Sequence, residues 1–220
     1  MFIGHYGAAF GAKAALRRVP LWVYFLAVQW LDVCWSALVM TGHEHLRIQP
    51  GYMPGSSLVL YDMPYTHSLI GALVLSALLG GVVALFMRKP RGAVFAMVAL
   101  ASFSHWLLDL AVHAPDLWIY DGVKLGFGLW RWLWISLPLE LALLVIGAWF
   151  YARYVPARSP RGNLWLWLFV IAMAGVQLYN NFGPQPVAPI AAAQLALFGY
   201  GVLAVLAGLV DLTRRKTSTG

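Results

Sequence analysis

Residues 92–112 read GAVFAMVALASFSHWLLDLAV, and this stretch is apolar except for a few side chains near its end. A helix of about 20 apolar residues crosses the hydrocarbon core of a bilayer, so the stretch predicts a membrane-spanning helix. Five further stretches share its length and apolar character, at residues 21–40, 68–87, 129–151, 164–182 and 187–209. The sequence therefore predicts about six spans.

The composition supports the same fold class. Of the 220 residues, 61% are hydrophobic and 10% are charged, whereas a soluble domain has roughly 25% charged residues. The single cysteine, Cys34, excludes an intrachain disulfide and a thiolate zinc cluster. We predict an all-α, polytopic transmembrane helical bundle that forms one integral-membrane domain over residues 1–220. Residues 1–16 are apolar but too short to span, which predicts an interfacial or re-entrant helix.

The distribution of Lys and Arg predicts the orientation in the membrane. With six spans, the N-terminus, two loops and the C-terminus share one side, and 12 of the 15 basic residues fall there. These are Lys13, Arg17, Arg18, Arg88, Lys89, Arg91, Arg153, Arg158, Arg161, Arg214, Arg215 and Lys216, whereas Arg47, Lys124 and Arg131 fall on the other side. Basic loops stay in the cytoplasm, so we predict a bacterial inner-membrane protein with both termini cytoplasmic. This asymmetry accounts for the net charge of +7, and no nucleic-acid partner is predicted.

The ionisable residues are concentrated in the first part of the chain. All six histidines precede residue 114, and seven of the eight acidic residues precede residue 141. The last two spans contain no ionisable residue other than tyrosine, and Asp211 lies just beyond the end of the second. This division predicts a metal-site half over residues 1–125 and structural helices over residues 126–220.

The span at 92–112 carries the sharpest functional signal. His105, Asp109, His113 and Asp116 are spaced by 4, 4 and 3 residues, which places them at roughly 0°, 40°, 80° and 20° around a helix. An intramembrane aspartate costs on the order of 3 kcal/mol at mid-helix, so it needs a partner. A divalent metal is one such partner, and a His–Asp hydrogen bond that only joins helices is the alternative.

A second signal precedes the span at 68–87. Asp62 and His67 flank the segment Met-Pro-Tyr-Thr, in which Thr66 is expected to cap the following helix and hold His67 at the membrane surface. The predicted topology brings His67 to the same face as Asp109, and Asp32 of the first span reaches the same level. We therefore consider His67 and either Asp62 or Asp32 as further metal ligands.

Other ionisable residues receive weaker predictions. The segment His43-Glu44-His45 is predicted to be a solvated outer loop because it lacks the helical spacing of a zinc protease motif. Glu140 and Asp116 are candidate catalytic proton acceptors, although Glu140 could equally pair with a neighbouring helix. His5 lies on the cytoplasmic side unless residues 1–12 re-enter the membrane.

Three short motifs resemble a known family. His5-Tyr6-Gly7-Ala8-Ala9, Thr66-His67-Ser68 and Ser104-His105-Trp106-Leu107-Leu108-Asp109 look like the pattern of the membrane-bound, predicted metal-dependent hydrolases of the LexA-regulated type. The resemblance covers roughly residues 1–125. It implies His5, His67, His105 and Asp109 as site residues, with Asp32 or Asp62 in place of the family's acidic residues. Two parts of the family's pattern are not matched here: its Pro-Asp-x-Asp pair is absent, and the residues directly before Thr66 differ from those of the family.

The leading functional hypothesis is a metal-dependent membrane hydrolase. A divalent metal on these His and Asp side chains would lower the pKa of a bound water, and an uncoordinated carboxylate would take the proton. The ligand set fits zinc, with manganese or iron as alternatives. A site at the non-cytoplasmic surface favours membrane lipid as partner and a small amphiphilic or phosphoester substrate. A proton-coupled carrier and a non-enzymatic membrane scaffold are the alternatives.

Overall fold

The computed structural model of the chain describes residues 1–87, 90–120 and 122–215. Four charged residues used in the sequence analysis, namely Arg88, Lys89, Asp121 and Lys216, lie outside the described residues. Among these described residues, five helices are long and apolar enough to cross a membrane, and there are six such spans if a bent helix pair is counted as one. The chain is thus an all-α integral-membrane bundle, as predicted.

The helices follow one another with short connections. The chain begins with α1 (Gly4–Ala15), and the bent pair is α2 (Leu21–Val28) with α3 (Trp30–Met40). The remaining helices are α4 (Leu69–Phe86), α5 (Arg91–Val112), α6 (Leu133–Tyr154), α7 (Pro160–Phe182) and α8 (Pro189–Leu212). The span that includes α6 starts later than predicted, because residues 129–131 form a separate 3₁₀ turn.

Helix α1 is half the length of a span, and it lies inside the bundle rather than on its surface. Its 12 residues reach about 18 Å, and most of their side chains are buried. Gly7 and Gly147 bring α1 into backbone contact with α6: a Cβ on Gly147 would lie 2.2 Å from the Gly7 carbonyl oxygen. Small residues allow this close approach between membrane helices. α1 thus packs within the bundle, which an interfacial helix on the surface would not do.

Polar side chains of two other helices, α6 and α7, hold the start of α1. Glu140 Oε2 accepts hydrogen bonds from the backbone nitrogens of Phe2 (2.8 Å) and Gly4 (3.4 Å), and Gln177 Oε1 accepts from Ile3 (3.4 Å). These nitrogens belong to the first turn of a helix, where they have no partner within the helix itself. The N-terminal residues therefore lie in the bundle interior.

The break between α2 and α3 bends the first span by 54°. Gln29 stands at the break with non-helical backbone angles, and its Nε2 donates to the Phe2 carbonyl oxygen over 3.3 Å. A helix end leaves carbonyl oxygens without an intrahelical partner. The break therefore frees the carbonyl of Val28 to accept a hydrogen bond from another helix.

Two β-hairpins cover the end of the bundle opposite the basic loops. The first pairs β1 (His45–Met53) with β2 (Ser56–Asp62), and the second pairs β3 (Leu117–Tyr120) with β4 (Val123–Leu125). The sequence analysis predicted no strand in either segment. The first hairpin is attached to the bundle by the hydrogen bond from Gly55 N to the Trp130 carbonyl oxygen (2.9 Å).

The basic residues of separate loops meet at the other end. Lys13 Nζ lies 2.9 Å from Asp211 Oδ2, and Arg158 Nε donates to the Arg214 carbonyl oxygen over 2.7 Å. This grouping joins the end of α1, the α6–α7 loop and the end of α8. It agrees with the alternation of spans that the orientation prediction assumed.

Candidate metal centre

Asp109 stands at the centre of a buried cluster of imidazoles. Its Oδ2 atom lies 3.0 Å from His105 Nε2, 3.4 Å from His113 Nε2 and 3.8 Å from His67 Nε2. All four side chains are at most 3% exposed. His105, Asp109 and His113 share one face of α5 because they are four residues apart, and His67 joins them from the segment before α4.

A second carboxylate enters the cluster from α3. Asp32 Oδ1 lies 3.3 Å from His67 Nε2 and 3.4 Å from His105 Nε2. The other oxygen, Oδ2, accepts a hydrogen bond from the Tyr200 hydroxyl of α8 over 2.7 Å. The tyrosine fixes the carboxylate so that Oδ1 faces the two imidazoles.

His5 completes the cluster because α1 enters the bundle. Its Nε2 lies 3.2 Å from Asp109 Oδ1, and its ring stacks on that of His105 with centroids 3.9 Å apart. The Met1 amino nitrogen lies 2.5 Å from the same Oδ1. Asp109 therefore presents one oxygen to His5 and the other to the remaining imidazoles.

Hydrogen bonds to Nδ1 orient two of the imidazoles. His105 Nδ1 lies 2.7 Å from the Val28 carbonyl oxygen at the break after α2. A carbonyl only accepts, so Nδ1 carries a proton, and Nε2 is the nitrogen whose lone pair a metal can take when the ring is neutral. His113 Nδ1 lies 2.9 Å from Asp116 Oδ1, which fixes the same tautomer. Metal-binding histidines in proteins almost always donate their second nitrogen in this way.

A longer relay orients His67. The buried Glu44 carboxylate accepts hydrogen bonds from the backbone nitrogens of Tyr65 (2.9 Å) and Thr66 (2.8 Å) and from Thr66 Oγ1 (2.6 Å). Since the threonine proton is used there, Thr66 Oγ1 accepts from His67 Nδ1 over 2.8 Å. His67 Nε2 is thereby left with a lone pair that faces Asp32 and Asp109.

This arrangement could hold a metal ion. Two groups of side chains bring one donor atom each within 4.8 Å of one another: His5 with His105 and Asp109, and Asp32 with His67 and His105. His105 Nε2 is buried and has no hydrogen-bond partner among the described residues, although buried polar atoms normally have one. The donors are nitrogen and oxygen without thiolate, which suits zinc, manganese or iron.

Asp62 is not part of the cluster. Its Oδ2 lies 3.0 Å from His45 Nδ1, and both side chains are more than 40% exposed. The β1–β2 pairing places Asp62 opposite His45 at the open end of the hairpin, so the carboxylate pairs with His45 and does not reach the cluster. Of the two acidic residues predicted as alternatives, Asp32 is the one in contact with His67.

The two predicted proton acceptors have different positions. Asp116 is engaged with His113 Nδ1 and does not line the cavity described below, so it is a positioning residue in this structure. Glu140 does line the cavity, and its Oε2 also anchors α1. At His113, which follows the end of α5, burial lowers the pKa, but the carboxylates of Asp109 and Asp116 outweigh it and raise the pKa to about 9.

Three further predictions about this region are corrected by the structure. Glu44 is buried, not in a solvated loop, because it caps the backbone before His67. The helix α4 is capped by Ser68, whose Oγ accepts from Gly71 N over 3.0 Å, while Thr66 serves Glu44 and His67. Tyr200 was missed because it lies in an apolar span. A buried tyrosine hydroxyl usually needs a hydrogen-bond partner, and this requirement could have indicated Tyr200.

A cavity of about 520 Å³ connects the cluster with the hairpin end of the bundle. Its polar floor includes Asp32, His67, Asp109 and Glu140, and its walls are mostly apolar. Residues of α3, the β1–β2 hairpin, α7 and α8 contribute to the walls, among them Trp35, Met53, Leu58, Val176, Tyr179 and Leu195. The volume falls in the range of ligand pockets, about 300–1,000 Å³.

Comparison with known proteins adds no relative for this site. No family model matches the chain, and no curated protein and no solved structure matches it.

Proposed function

We propose that this protein is a membrane-embedded, metal-dependent hydrolase of an amphiphilic phosphoester. The observation that carries the proposal is the convergence of oriented imidazoles on Asp109. His67, His105 and His113 each use Nδ1 for a hydrogen bond and turn Nε2 toward the Asp109 carboxylate. Neutral imidazoles oriented in this way direct their free nitrogen lone pairs at one region, which is the arrangement that a bound cation needs.

His67, His105, Asp32 and Asp109 would hold the ion, which we propose to be zinc, with manganese or iron as alternatives. A bound ion of this kind lowers the pKa of a coordinated water toward 7 and stabilises charge on a phosphoryl oxygen. Glu140 lies in the same cavity and is the proposed acceptor for the water proton. Its Oε2 accepts hydrogen bonds from the backbone nitrogens of Phe2 and Gly4, which hold the carboxylate in place.

The cavity supports an amphiphilic substrate. Its apolar walls suit an acyl or isoprenoid chain, whereas the His and Asp side chains at its floor suit a phosphate headgroup near the metal. The cavity opens among the hairpins, at the end of the bundle away from the basic loops. We propose that this end is the non-cytoplasmic face of a bacterial inner membrane, because basic loops remain cytoplasmic. Membership in the LexA-regulated hydrolase family is part of the same proposal.

Metal content and phosphoester hydrolysis, measured on the same purified samples, test this function. The protein in detergent is expected to carry a divalent metal and to release phosphate or a headgroup from phosphatidic acid or phosphatidylglycerol micelles. The Asp109→Asn and His105→Ala variants should lose both properties. Asp62→Asn is the matched control, because this aspartate lies in an exposed pair outside the cluster.

Three results would contradict the proposal in different ways. Absence of metal from the wild-type protein removes the hydrolase mechanism. Metal without hydrolysis of any phosphoester favours a scaffold with a structural ion. Proton- or ion-dependent uptake by liposomes that contain the protein, without hydrolysis, favours a carrier that uses the Asp and His side chains as a relay.

A further inference from the structure

The rings of His5 and His105 lie in nearly parallel planes. Their centroids are 3.9 Å apart, and the angle between the planes is 9°. The lone pair of an imidazole nitrogen lies in the plane of its ring, and a Zn–N bond is about 2.0–2.1 Å long. An ion midway between the two rings would therefore stand roughly 2 Å out of each plane, where neither lone pair points. One ion cannot be bound well by both histidines.

The Nε2 atoms of both histidines lack a hydrogen-bond partner. Both side chains are completely buried, and neither Nε2 makes a hydrogen bond to any described residue. Their nearest charged neighbour is the same carboxylate, which they approach from its two oxygens: Oδ1 lies 3.2 Å from His5 and Oδ2 lies 3.0 Å from His105. A carboxylate in this position can bridge two cations.

We propose that the centre is dinuclear, with Asp109 as the bridging carboxylate. The proposal rests on the hydrolase function above and adds the number of ions and their ligands. The first ion is bound by His67, His105 and Asp32 together with Asp109 Oδ2. The second ion is bound by His5 and Asp109 Oδ1. An ion in each ring plane gives a spacing close to the ring separation of 3.9 Å, which matches the 3.5–4 Å of two-metal hydrolytic sites.

The surroundings of Asp109 Oδ1 support a cation on the His5 side. The Met1 amino nitrogen lies 2.5 Å from this oxygen, so Asp109 Oδ1 attracts positive charge, and the second ion would take the place of this amino group. His5 and Asp109 supply only two protein ligands there, compared with four at the first ion. The second ion is thus the more weakly held of the two, with more coordination positions open to water or a phosphoryl oxygen.

Metal stoichiometry tests the proposal without any measurement of activity. The full chain in detergent is stripped with a chelator, reloaded with Zn²⁺ and desalted, and the metal per chain is measured by mass spectrometry. We expect two ions per chain in the wild type and one in His5→Ala. His45→Ala is the matched control: it removes a histidine–aspartate pair at the surface and should retain two ions.

A second measurement needs no variant. With Mn²⁺ at two equivalents per chain, the wild-type protein should give the electron paramagnetic resonance spectrum of an exchange-coupled pair. The spectrum of isolated Mn²⁺ ions at full loading, or a Zn²⁺ content that saturates at one per chain, would overturn the dinuclear centre. So would two ions in a folded His5→Ala variant.

The outcomes separate this inference from the proposed function. One ion per chain with phosphoester hydrolysis refutes the dinuclear centre and leaves the hydrolase. Two coupled ions without hydrolysis of any phosphoester support the dinuclear centre and refute the hydrolase. Loss of the coupled spectrum in Asp109→Asn, under conditions where His45→Ala keeps it, identifies the bridging residue.

Discussion

Substitution of Gly7 by alanine should displace α1 and remove His5 from the metal centre. A Cβ at this position would lie 2.2 Å from the Leu143 carbonyl oxygen and 2.7 Å from its carbon, both in the backbone of α6. Ordinary van der Waals contact begins at 3.4 Å, so the two helices must separate by about 1.2 Å. A backbone oxygen cannot turn aside as the end of a flexible side chain can.

This separation is large on the scale of metal coordination. Ligand distances in metal sites hold to about ±0.2 Å, and His5 lies two residues from the substituted position. Overpacking of a well-packed interior typically costs about 1–3 kcal/mol. We therefore expect Gly7→Ala to lower the thermal stability in detergent and to bind one metal ion per chain fewer than the wild type.

Gly11 provides the matched control in the same helix. It lies about one turn beyond Gly7, and a Cβ there meets nothing within 4 Å. The Gly11→Ala variant should keep its metal and gain up to about 1 kcal/mol from the better helix propensity of alanine. If Gly7→Ala melted at the wild-type temperature and retained all its metal, the inferred dependence of the site on the α1–α6 contact would be refuted.

Three further predictions concern the surroundings of the site. Thr66→Val breaks the relay that orients His67 and should weaken metal affinity about 10–100-fold, as measured by competition with a chelator; unchanged affinity would mean that the relay is not needed. Glu140→Gln keeps an oxygen acceptor for the start of α1 but removes the proton acceptor, so bound metal should persist while hydrolysis falls about 10²–10⁴-fold; full activity would exclude the assigned role. In chelator-treated protein, the raised pKa of His113 adds stability that is complete below pH 6.5 and is lost as the pH rises through about 9, so the melting temperature should fall over this range. A His113→Gln variant should not show this fall. The same fall in both proteins would assign the effect to another group.

The sequence could predict the fold class and the centre of the site because both depend on local periodicity. A span needs about 20 consecutive apolar residues, which can be counted in the chain. The shared face of His105, Asp109 and His113 follows from 3.6 residues per turn, and α5 covers the first two of these residues and ends directly before His113. A residue four positions away along a helix stays a neighbour whatever the rest of the bundle does.

The contribution of α1 could not be decided in this way. Composition left residues 1–16 as either an interfacial or a re-entrant helix, and His5 reaches Asp109 only in the second case. The choice depends on contacts between distant parts of the chain: the glycine contact with α6 and the hydrogen bonds of Glu140 to Phe2 and Gly4, across 138 and 136 residues. No sequence pattern within α1 indicates these long-range contacts.

Tertiary structure also decided which acidic residues belong to the site. Asp32 and Asp62 were alternatives by sequence, but the β1–β2 hairpin pairs Asp62 with His45 at the surface, whereas Tyr200 holds Asp32 against the imidazoles from 168 residues away. The sequence predicted Glu44 as part of a polar loop, whereas the fold buries it beside Thr66. The spans and the face of α5 could thus be predicted from the sequence, because they follow from near neighbours in the chain. The complete ligand set was decided by packing and hydrogen bonds between segments that are distant in sequence.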